Sequence, residues 1–246
     1  MAPKSSVKRR NAIALETSRD HMLARIRASL EQSRAQLTDL AAHTPHAPPL
    51  FVHPPQDDLL AQFAEELAKL EGFPHLCADD TQALDVIRGI LQRHQATSVV
   101  AWDCAQIGLP GLDTLLAELG AHVLEGDIIG RERAARLRAL EPAPVCISGA
   151  DAGIAESGTL VLRSGPGRGR LASLIVPVHI AVLRRAQIVR GLGAALALLQ
   201  EHHGRDLFVD SSNLTLISGP SRTGDIELTL TLGVHGPREI HVVLID

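Results

Sequence analysis

Residues 97–148 read TSVVAWDCAQIGLPGLDTLLAELGAHVLEGDIIGRERAARLRALEPAPVCIS and contain two kinds of segment in alternation. Short β-branched or apolar runs occupy Thr97–Ala101, Ala121–Leu124 and Pro144–Ser148. Between these runs, two segments have the pattern of helices, Gly111–Leu119 and Arg131–Leu140. Strands that alternate with helices at this rhythm are typical of a parallel sheet covered by helices on both faces. The stretch therefore predicts an α/β fold.

The same alternation continues on both sides of this stretch. Further helices are predicted at Gln56–Leu70, Thr81–His94 and Ile188–His203. The remaining strands are predicted at Thr159–Arg163, Val178–Leu183, Leu214–Ser218 and Ile240–Ile245. We therefore expect one α/β domain over residues 56–246, with a mostly parallel sheet and flanking helices.

The first 55 residues have a different composition. Residues 1–16 are basic and polar, which predicts a loose tail. A helical arm is predicted over residues 17–42, because an N-cap hydroxyl precedes apolar residues at four-residue spacing. The proline-rich stretch His43–Pro55 predicts an extended linker. The arm either packs on the main body as an ordinary first helix or is exchanged between the subunits of a homodimer.

The composition argues against several classes of protein. The 246 residues include 24 Lys or Arg and 28 Asp or Glu, so the net charge of −4 gives no electrostatic reason to expect nucleic acid. The sequence contains no run of about 18 apolar residues, so no membrane span is predicted. The basic N-terminus lacks the apolar segment of a secretory signal. We therefore expect a cytoplasmic protein.

The cysteines and lysines narrow the expected chemistry. Cys77, Cys104 and Cys146 are isolated in the sequence, which argues against a disulfide framework and against a zinc or iron–sulfur site built from this chain alone. No lysine follows Lys69, so Schiff-base and Walker-type phosphate chemistry is not expected in the C-terminal two thirds. We expect no cofactor that is bound by this chain's own ligands.

Three glycine-rich segments directly precede or follow predicted strands and are the candidate ligand-binding loops. They are residues 149–159 (GADAGIAESGT), 164–170 (SGPGRGR) and 218–227 (SGPSRTGDIE). Such loops offer backbone N–H groups to an anion where the strands end. In the second loop, Arg168 and Arg170 suit bidentate recognition of an anion, and a turn with solvated arginines is the alternative.

The first and third loops carry further candidates. Asp151 or Glu156 is a candidate nucleophile or general base, and an N-cap or an ion-pair partner is the structural alternative. Ser221, Arg222 and Thr223 are candidate ligands of a carboxylate or phosphate, and a helix cap with a solvated arginine is the alternative. The caps predict a helix here, whereas the alternation of apolar residues over 226–232 predicts a strand, so both remain open.

Among the twelve histidines, His235 is distinctive because it lies in a tight Gly/Pro turn just before the last predicted strand. Its imidazole is a candidate for proton transfer or for a hydrogen bond to a ligand. The H-E-x-x-H pattern of a helical zinc site does not occur in the sequence, so no metal site is predicted.

Four strings, in order, make the chain resemble the LUD-domain family. They are residues 148–162 (SGADAGIAESGTLVL), 177–182 (PVHIAV), 218–227 (SGPSRTGDIE) and 233–238 (GVHGPR). The resemblance covers about residues 95–246. It implies a fold similar to that of ribose-phosphate isomerase, coenzyme A transferases and formyltetrahydrofolate cyclo-ligase. One departure is Glu156-Ser157, where family members often have Asp-Thr, so the carboxylate here has a longer reach.

The resemblance also implies a function, the oxidation of L-lactate to pyruvate together with separate iron–sulfur proteins. Because the candidate residues cluster in these motifs, our hypothesis is that Arg222 and Arg170 hold a small anion, a 2-hydroxy or 2-oxo acid or a phosphate, between the loops. Ser221 and Thr223 would donate hydrogen bonds, and Glu156 and His235 would transfer protons. The other candidate ligand-binding residues in these motifs are Gly149, Asp151, Ser157, Gly158, Thr159, Gly219 and Asp225.

Two alternatives remain beside this interpretation. Residues Glu156-Ser157-Gly158 are similar to the Glu-x-Gly setting of the coenzyme A transferase nucleophile. That similarity implies a stand-alone enzyme that acts through Glu156 on an acyl or phosphorylated substrate. The third interpretation is a non-catalytic module that senses lactate or assembles partner proteins.

Overall fold

The computed structural model of the protein describes residues 18–34, 49–54, 56–126, 133–204, 207, 209, 211, 213–224 and 230–246. The chain divides into two compact units, Met1–Pro48 and Pro49–Asp246. None of the helices in the described part of the chain has the length and the apolar run that a membrane span requires.

In the first unit, residues 18–34 form a helix, α1. The apolar side chains of Met22, Ile26 and Leu30 recur every four residues along it, and all three are exposed. The tail, the linker up to residue 48 and the predicted ends of the arm, 17 and 35–42, lie outside the described residues. The exchange of the arm in a homodimer stays a prediction.

The second unit contains the remaining elements. Its helices are α2 Leu59–Lys69, α3 Asp80–Arg93, α4 Cys104–Ile107, α5 Leu112–Glu118, α6 Arg133–Leu140 and α7 Leu192–His203. Its strands are β1 Phe73–Cys77, β2 Ser98–Ala101, β3 His122–Glu125, β4 Val145–Gly149, β5 Ala152–Ile154, β6 Thr159–Ser164, β7 Val178–Arg184, β8 Ile188–Val189, β9 Asn213–Ile217, β10 Arg222–Gly224, β11 Leu230–Leu232 and β12 Glu239–Ile245.

The central sheet has six strands in the order β1-β12-β7-β4-β2-β3, and every neighbouring pair is parallel. A second sheet has the order β8-β5-β6-β9, and β10 and β11 form an antiparallel pair. The prediction of an α/β fold with a mostly parallel sheet and flanking helices is confirmed.

The inner strands β4, β7 and β12 are buried along nearly their whole length, as expected where helices cover both faces of a parallel sheet. Helix α2 shows how a covering layer forms. Its N-cap Asp58 accepts a hydrogen bond from the backbone N–H of Leu60 at 3.0 Å. Phe63 and Leu67, four residues apart on one face, are fully buried.

Two regions differ from the sequence patterns. The predicted helix Ile188–His203 is shorter, because Ile188–Val189 is a strand that pairs with β5 and the helix begins only at Leu192. In the third loop, Thr223 lies in strand β10, which pairs with β11, so the described part of this loop leads into a strand and not into a helix; residues 225–229 lie outside the described residues. Strand β1 was not predicted, since Phe73 and Leu76 are exposed at the sheet edge and Pro74 interrupts the pattern.

Two histidines lie in the buried centre of the sheet. His179 on β7 is fully buried, and its Nε2 lies 2.8 Å from Ser148 Oγ. Burial lowers the pKa of His179 to about 4. Burial and the neighbouring His75 also lower the pKa of His241 on β12 to about 4. Both imidazoles are therefore neutral at pH 7, which makes them hydrogen-bonding rather than ionic groups.

Candidate functional site

The second glycine-rich loop lies against the carboxyl end of β2, where ligands of parallel sheets commonly bind. Trp102 Nε1 donates to the carbonyl oxygen of Gly169 at 3.2 Å, and Asp103 N donates to the carbonyl oxygen of Gly167 at 2.8 Å. An open cleft of about 580 Å³ adjoins this contact; its lining includes Ala101, Trp102, Cys104, Glu125, Gly126, Gly167 and Gly169. The loop is thus held in place by the chain that leaves β2.

Asp151, two residues after the end of β4, is the centre of an ionic cluster. Its Oδ1 accepts from Arg168 Nη1 at 2.7 Å and lies 3.6 Å from Arg163 Nε. Its Oδ2 accepts from the backbone N–H of Arg163 at 2.8 Å. The side chains of Asp151, Arg163 and Arg168 are only 7%, 13% and 22% exposed. One buried carboxylate therefore faces two guanidinium groups, and the cluster has a net charge of +1.

This positive cluster borders a small cleft on the outer side of the loop. The cleft has a volume of about 260 Å³ and is lined by Gln106, Arg163, Ser164, Gly165, Pro166, Arg168 and Ser211. Arg168 Nε donates to Gln106 Oε1 at 3.0 Å, and its guanidinium lies 5.4 Å from the Trp102 ring centroid. Arg163 Nε is buried without a hydrogen-bond partner. The cleft is thus lined by two arginines whose combined charge one carboxylate balances only in part.

The glycine that ends β4 allows this arrangement to form. A Cβ on Gly149 would lie 3.1 Å from the carbonyl oxygens of both Gln106 and Ile107 in α4. The absence of a side chain lets α4 approach the strand this closely without displacement, and this approach places Gln106 beside Arg168. We therefore interpret Gly149 as a packing residue of the site.

Glu156 holds a different part of the molecule together. Its Oε2 accepts from the backbone N–H groups of Val52 and His53 at 2.7 and 2.9 Å. Its Oε1 accepts from Leu192 N at the start of α7 at 3.4 Å. Partial burial, the largest single influence, raises the pKa of Glu156, but the three backbone donors together lower the pKa below its usual value. The carboxylate is ionised and fastens residues 52–53 to α7.

We expect the stability contribution of Glu156 to depend on pH. Because its pKa is lowered in the folded state, the contribution is complete above the unfolded pKa of about 4.5 and is lost as the pH falls through the folded value. Glu156→Gln should therefore lower the free energy of unfolding by about 1 kcal/mol at pH 7. Urea unfolding should show that the difference from wild type shrinks between about pH 5 and pH 3.

The matched control for this prediction is Glu141→Gln, which removes an exposed carboxylate just after α6. Its effect on the free energy of unfolding should stay within about 0.5 kcal/mol at either pH. An equal loss in Glu156→Gln at pH 3 and pH 7 would show that the charge of Glu156 does not stabilise the fold.

The first and third loops meet through hydroxyl groups. Thr159 Oγ1 lies 2.8 Å from Ser157 Oγ and 2.7 Å from Ser218 Oγ. Gly158 lies between the two first-loop hydroxyls with φ of +57°, packed against the backbone of Leu67 in α2. Thr159 is buried, so the hydroxyls of this cluster mainly satisfy each other.

Arg222 of the third loop contacts the end of α2. Its Nη2 donates to the carbonyl oxygen of Leu70 and lies 3.1 Å from Glu71 Oε2. Gly219 packs on the same helix end, since a Cβ there would lie 2.9 Å from both Leu70 Cβ and Leu70 O. Ser221 bonds through its backbone, with its N–H donating to the carbonyl oxygen of Pro237 at 2.7 Å.

The other predicted site residues lie elsewhere. His235 is exposed and lines a cleft of about 450 Å³ with Pro177, Gly236 and Arg238. Arg170 is exposed and begins a 3-10 turn, Arg170–Ser173. Thr223 is part of β10, and Asp225 lies outside the described residues. Among the residues that the structure describes, no hydrogen bond joins Glu156 to His235. The catalytic or ligand-binding roles of all the predicted site residues named in this paragraph stay predictions.

Residues 60–245 match the family model of the LUD domain. The chain belongs to the LUD domain family. The resemblance seen in its four sequence strings is thereby confirmed.

Several relatives of this LUD domain carry the same name, lactate utilization protein C. The one from Geobacillus sp. (strain WCH70) is 29% identical over 201 residues, which cover 78% of this chain and 80% of the relative. The one from Bacillus velezensis is 28% identical over 237 residues, or 94% of this chain and 96% of the relative. The one from Halalkalibacterium halodurans is 33% identical over 172 residues, or 67% and 69%.

A solved structure has a similar fold. It is the crystal structure of a DUF162 family protein from Deinococcus radiodurans, which matches with a TM-score of 0.54 and 23% identity. The match covers 76% of this chain and 96% of that one. The fold of the LUD domain described above is therefore also found in a crystal structure.

The LUD domain motifs direct attention to the first and third loops, and so Trp102, Gln106 and Arg163 were not predicted as site residues. Arg163 falls inside a predicted strand, yet it is the one charged residue of the run Thr159–Arg163. An arginine at the end of an otherwise apolar strand, directly before a loop with two more arginines, is the signal that could have identified this cluster.

Proposed function

We propose that this protein takes part in lactate utilization in the cytoplasm and binds a small carboxylate, a 2-hydroxy or 2-oxo acid, in the cleft beside Arg163 and Arg168. The name that its relatives share supports the pathway. The observation that carries the binding site is the net positive charge of the Asp151–Arg163–Arg168 cluster, whose two arginines line this cleft. A carboxylate in the cleft neutralises that charge.

The size of the cleft favours a ligand of this class. Its volume of about 260 Å³ lies below the range of about 300–1,000 Å³ that is typical for drug-sized ligands. A three-carbon acid fits this space, whereas coenzyme A is far larger. Ser164 and Ser211 at the lining can meet the 2-hydroxy or 2-oxo group of the acid. Arg168 is positioned for the carboxylate by Asp151 and Gln106.

Oxidation of L-lactate to pyruvate releases two electrons and two protons, and these electrons need an acceptor. Cys77 and Cys146 are buried and Cys104 is partly buried. Burial raises the pKa of all three thiols, and a protonated thiol is a poor cluster ligand. We therefore assign the acceptor role to iron–sulfur clusters in separate partner proteins, with this chain as the subunit that holds the acid.

Calorimetric titration of the purified protein with L-lactate, pyruvate and inorganic phosphate tests the ligand site. We expect saturable binding of the carboxylates and a loss of about 10- to 100-fold in affinity in Arg168→Gln, since a charge-assisted contact is removed. Arg170→Gln is the control, because Arg170 lies two residues away and is exposed. Equal affinities in wild type and Arg168→Gln, or a loss confined to Arg170→Gln, would place the anion elsewhere.

A deletion strain tests the pathway. We expect it to grow poorly on L-lactate and normally on pyruvate, and growth should return with the wild-type gene but not with Arg168→Gln. Affinity purification from lactate-grown cells should recover proteins with an iron–sulfur chromophore. Normal growth of the deletion strain on L-lactate would refute the proposed role.

A further inference from the structure

Three side chains from two elements converge at the amino-terminal ends of the central strands, opposite the carboxyl ends where the glycine-rich loops lie. Glu239 and His241 are the first and third residues of β12, and residues two apart on a strand project to the same face. His94 is the C-cap of α3. Among the residues that the structure describes, this is the one group of three potential metal ligands that come together.

The ligand atoms have the spacing of a coordination sphere. Glu239 Oε2 lies 3.3 Å from His94 Nε2 and 3.5 Å from His241 Nε2. All three atoms lie within 4.8 Å of one another. Tetrahedral ligands at about 2.1 Å from a zinc ion are about 3.4 Å apart. The two carboxylate–imidazole separations match this value, so a cation fits among the three atoms after a small closure of the two histidines.

The second observation is that both imidazole nitrogens lack a partner. His94 Nε2 and His241 Nε2 are buried and make no hydrogen bond, although Glu239 lies close to each. His241 is only 1% exposed. A buried polar nitrogen without a partner loses its hydration without compensation, and two such atoms that face one carboxylate require an explanation. A bound cation would satisfy both nitrogens.

The surroundings of His241 accommodate the tautomer that a metal ligand needs. His75 Nε2 lies 3.0 Å from His241 Nδ1, and in the tautomer with the proton on Nδ1 this group donates to His75 while Nε2 keeps its lone pair. The Phe73 ring stacks on His241, with centroids 4.8 Å apart and planes inclined by 19°. His75 and Phe73 thus fix the orientation of the ring.

We propose that His94, Glu239 and His241 form a binding site for a divalent transition-metal ion, with Zn²⁺ as the ion that this donor set suits best. Two imidazole nitrogens and one carboxylate oxygen are borderline ligands of the kind that zinc takes. The side chains of His94 and Glu239 are 20% and 34% exposed, so the ion has access from solvent and a water can fill the fourth position. The ion joins the end of α3 to the start of β12, away from the arginine cleft.

Zinc titration of the chelator-treated full-length protein, in the presence of a competing chromophoric chelator, tests the site. We expect one high-affinity ion per chain and a higher thermal unfolding temperature when zinc is bound. His94→Gln should weaken zinc binding at least about 100-fold and Glu239→Gln at least about 10-fold. Both residues are partly exposed, so these variants keep the test valid even if changes at buried His241 prevent folding.

The double variant His202→Gln/His203→Gln is the control, because these adjacent histidines at the end of α7 are a surface alternative for a loosely bound ion. It should keep the high-affinity ion. Cobalt substitution gives a second measurement, since a tetrahedral site has intense visible absorption that His94→Gln should abolish. Zinc binding that is unchanged in His94→Gln and Glu239→Gln, or lost in the control, would overturn the proposal.

Discussion

Gly158→Ala should destabilise the protein by at least about 3 kcal/mol and leave little soluble, folded chain. A Cβ at this position would lie 2.4 Å from Leu67 N and 2.7 Å from Leu67 Cα. Both are backbone atoms of α2, so no side-chain rotation relieves the clash. The φ of +57° adds strain for any residue with a Cβ. The measurement is the free energy of unfolding in urea, followed by circular dichroism.

Gly120→Ala is the matched control for this substitution. Gly120 follows the end of α5 with a φ of +65°, and a Cβ there would meet nothing within 4 Å. The control carries the same conformational penalty without the clash, so it should cost about 1 kcal/mol. Similar losses in the two variants would show that the loss of stability in Gly158→Ala comes from backbone strain alone and not from the packing of the first loop on α2.

These glycines show why the loops could be located from sequence but not interpreted. Glycine-rich segments beside strands predict ligand contact, because their backbone groups are accessible. At Gly158 and Gly219, however, the missing side chain serves the close approach of α2, and at Gly149 it serves α4. The sequence indicates that a position requires glycine but not which segment packs against it. For the α2 contacts, that segment is 80 or more residues away along the chain.

The fold itself was largely predictable. The inner strands are buried on both faces, so their apolar runs stand out from the helices, and Val178–Leu183 and Ile240–Ile245 were predicted almost to their ends. The missed elements are those whose pattern is weak. Strand β1 lies at the sheet edge, and β5 and β8 have only three and two residues. Such short pairs form because the surrounding fold brings them together.

The candidate metal site shows a limit of spacing rules. A helical zinc site such as H-E-x-x-H places its two histidines four residues apart, the spacing of one helix face. Glu239 and His241 are two residues apart, which is the spacing of one strand face. The third residue, His94, belongs to another element, and its approach to Glu239 follows from the position of α3 on the sheet. No local pattern contains that contact.

Asp151→Asn should lower the free energy of unfolding by about 2–3 kcal/mol, because it leaves two largely buried guanidinium groups without a counter-charge. Arg163 and Arg168 are 13% and 22% exposed at the side chain, so solvent screens them only in part. The amide oxygen can still accept from Arg163 N, whereas the amide NH2 cannot accept from Arg168 Nη1, so the variant loses the charge and one hydrogen bond. Asp57→Asn, at an exposed carboxylate, is the control and should change stability by less than about 0.5 kcal/mol.

A double-mutant cycle with Arg168→Gln separates the ionic contribution from packing. Once Arg168 has lost its charge, Asp151 faces Arg163 alone, and the carboxylate and the remaining guanidinium balance. The second substitution should therefore cost less than the first, with a coupling energy of at least about 1 kcal/mol between the two positions. Additive losses would mean that Asp151 acts mainly by accepting from Arg163 N. In that case the net positive charge of the cluster would no longer explain why a carboxylate binds in the cleft, and the ligand's charge would have to be balanced by another group.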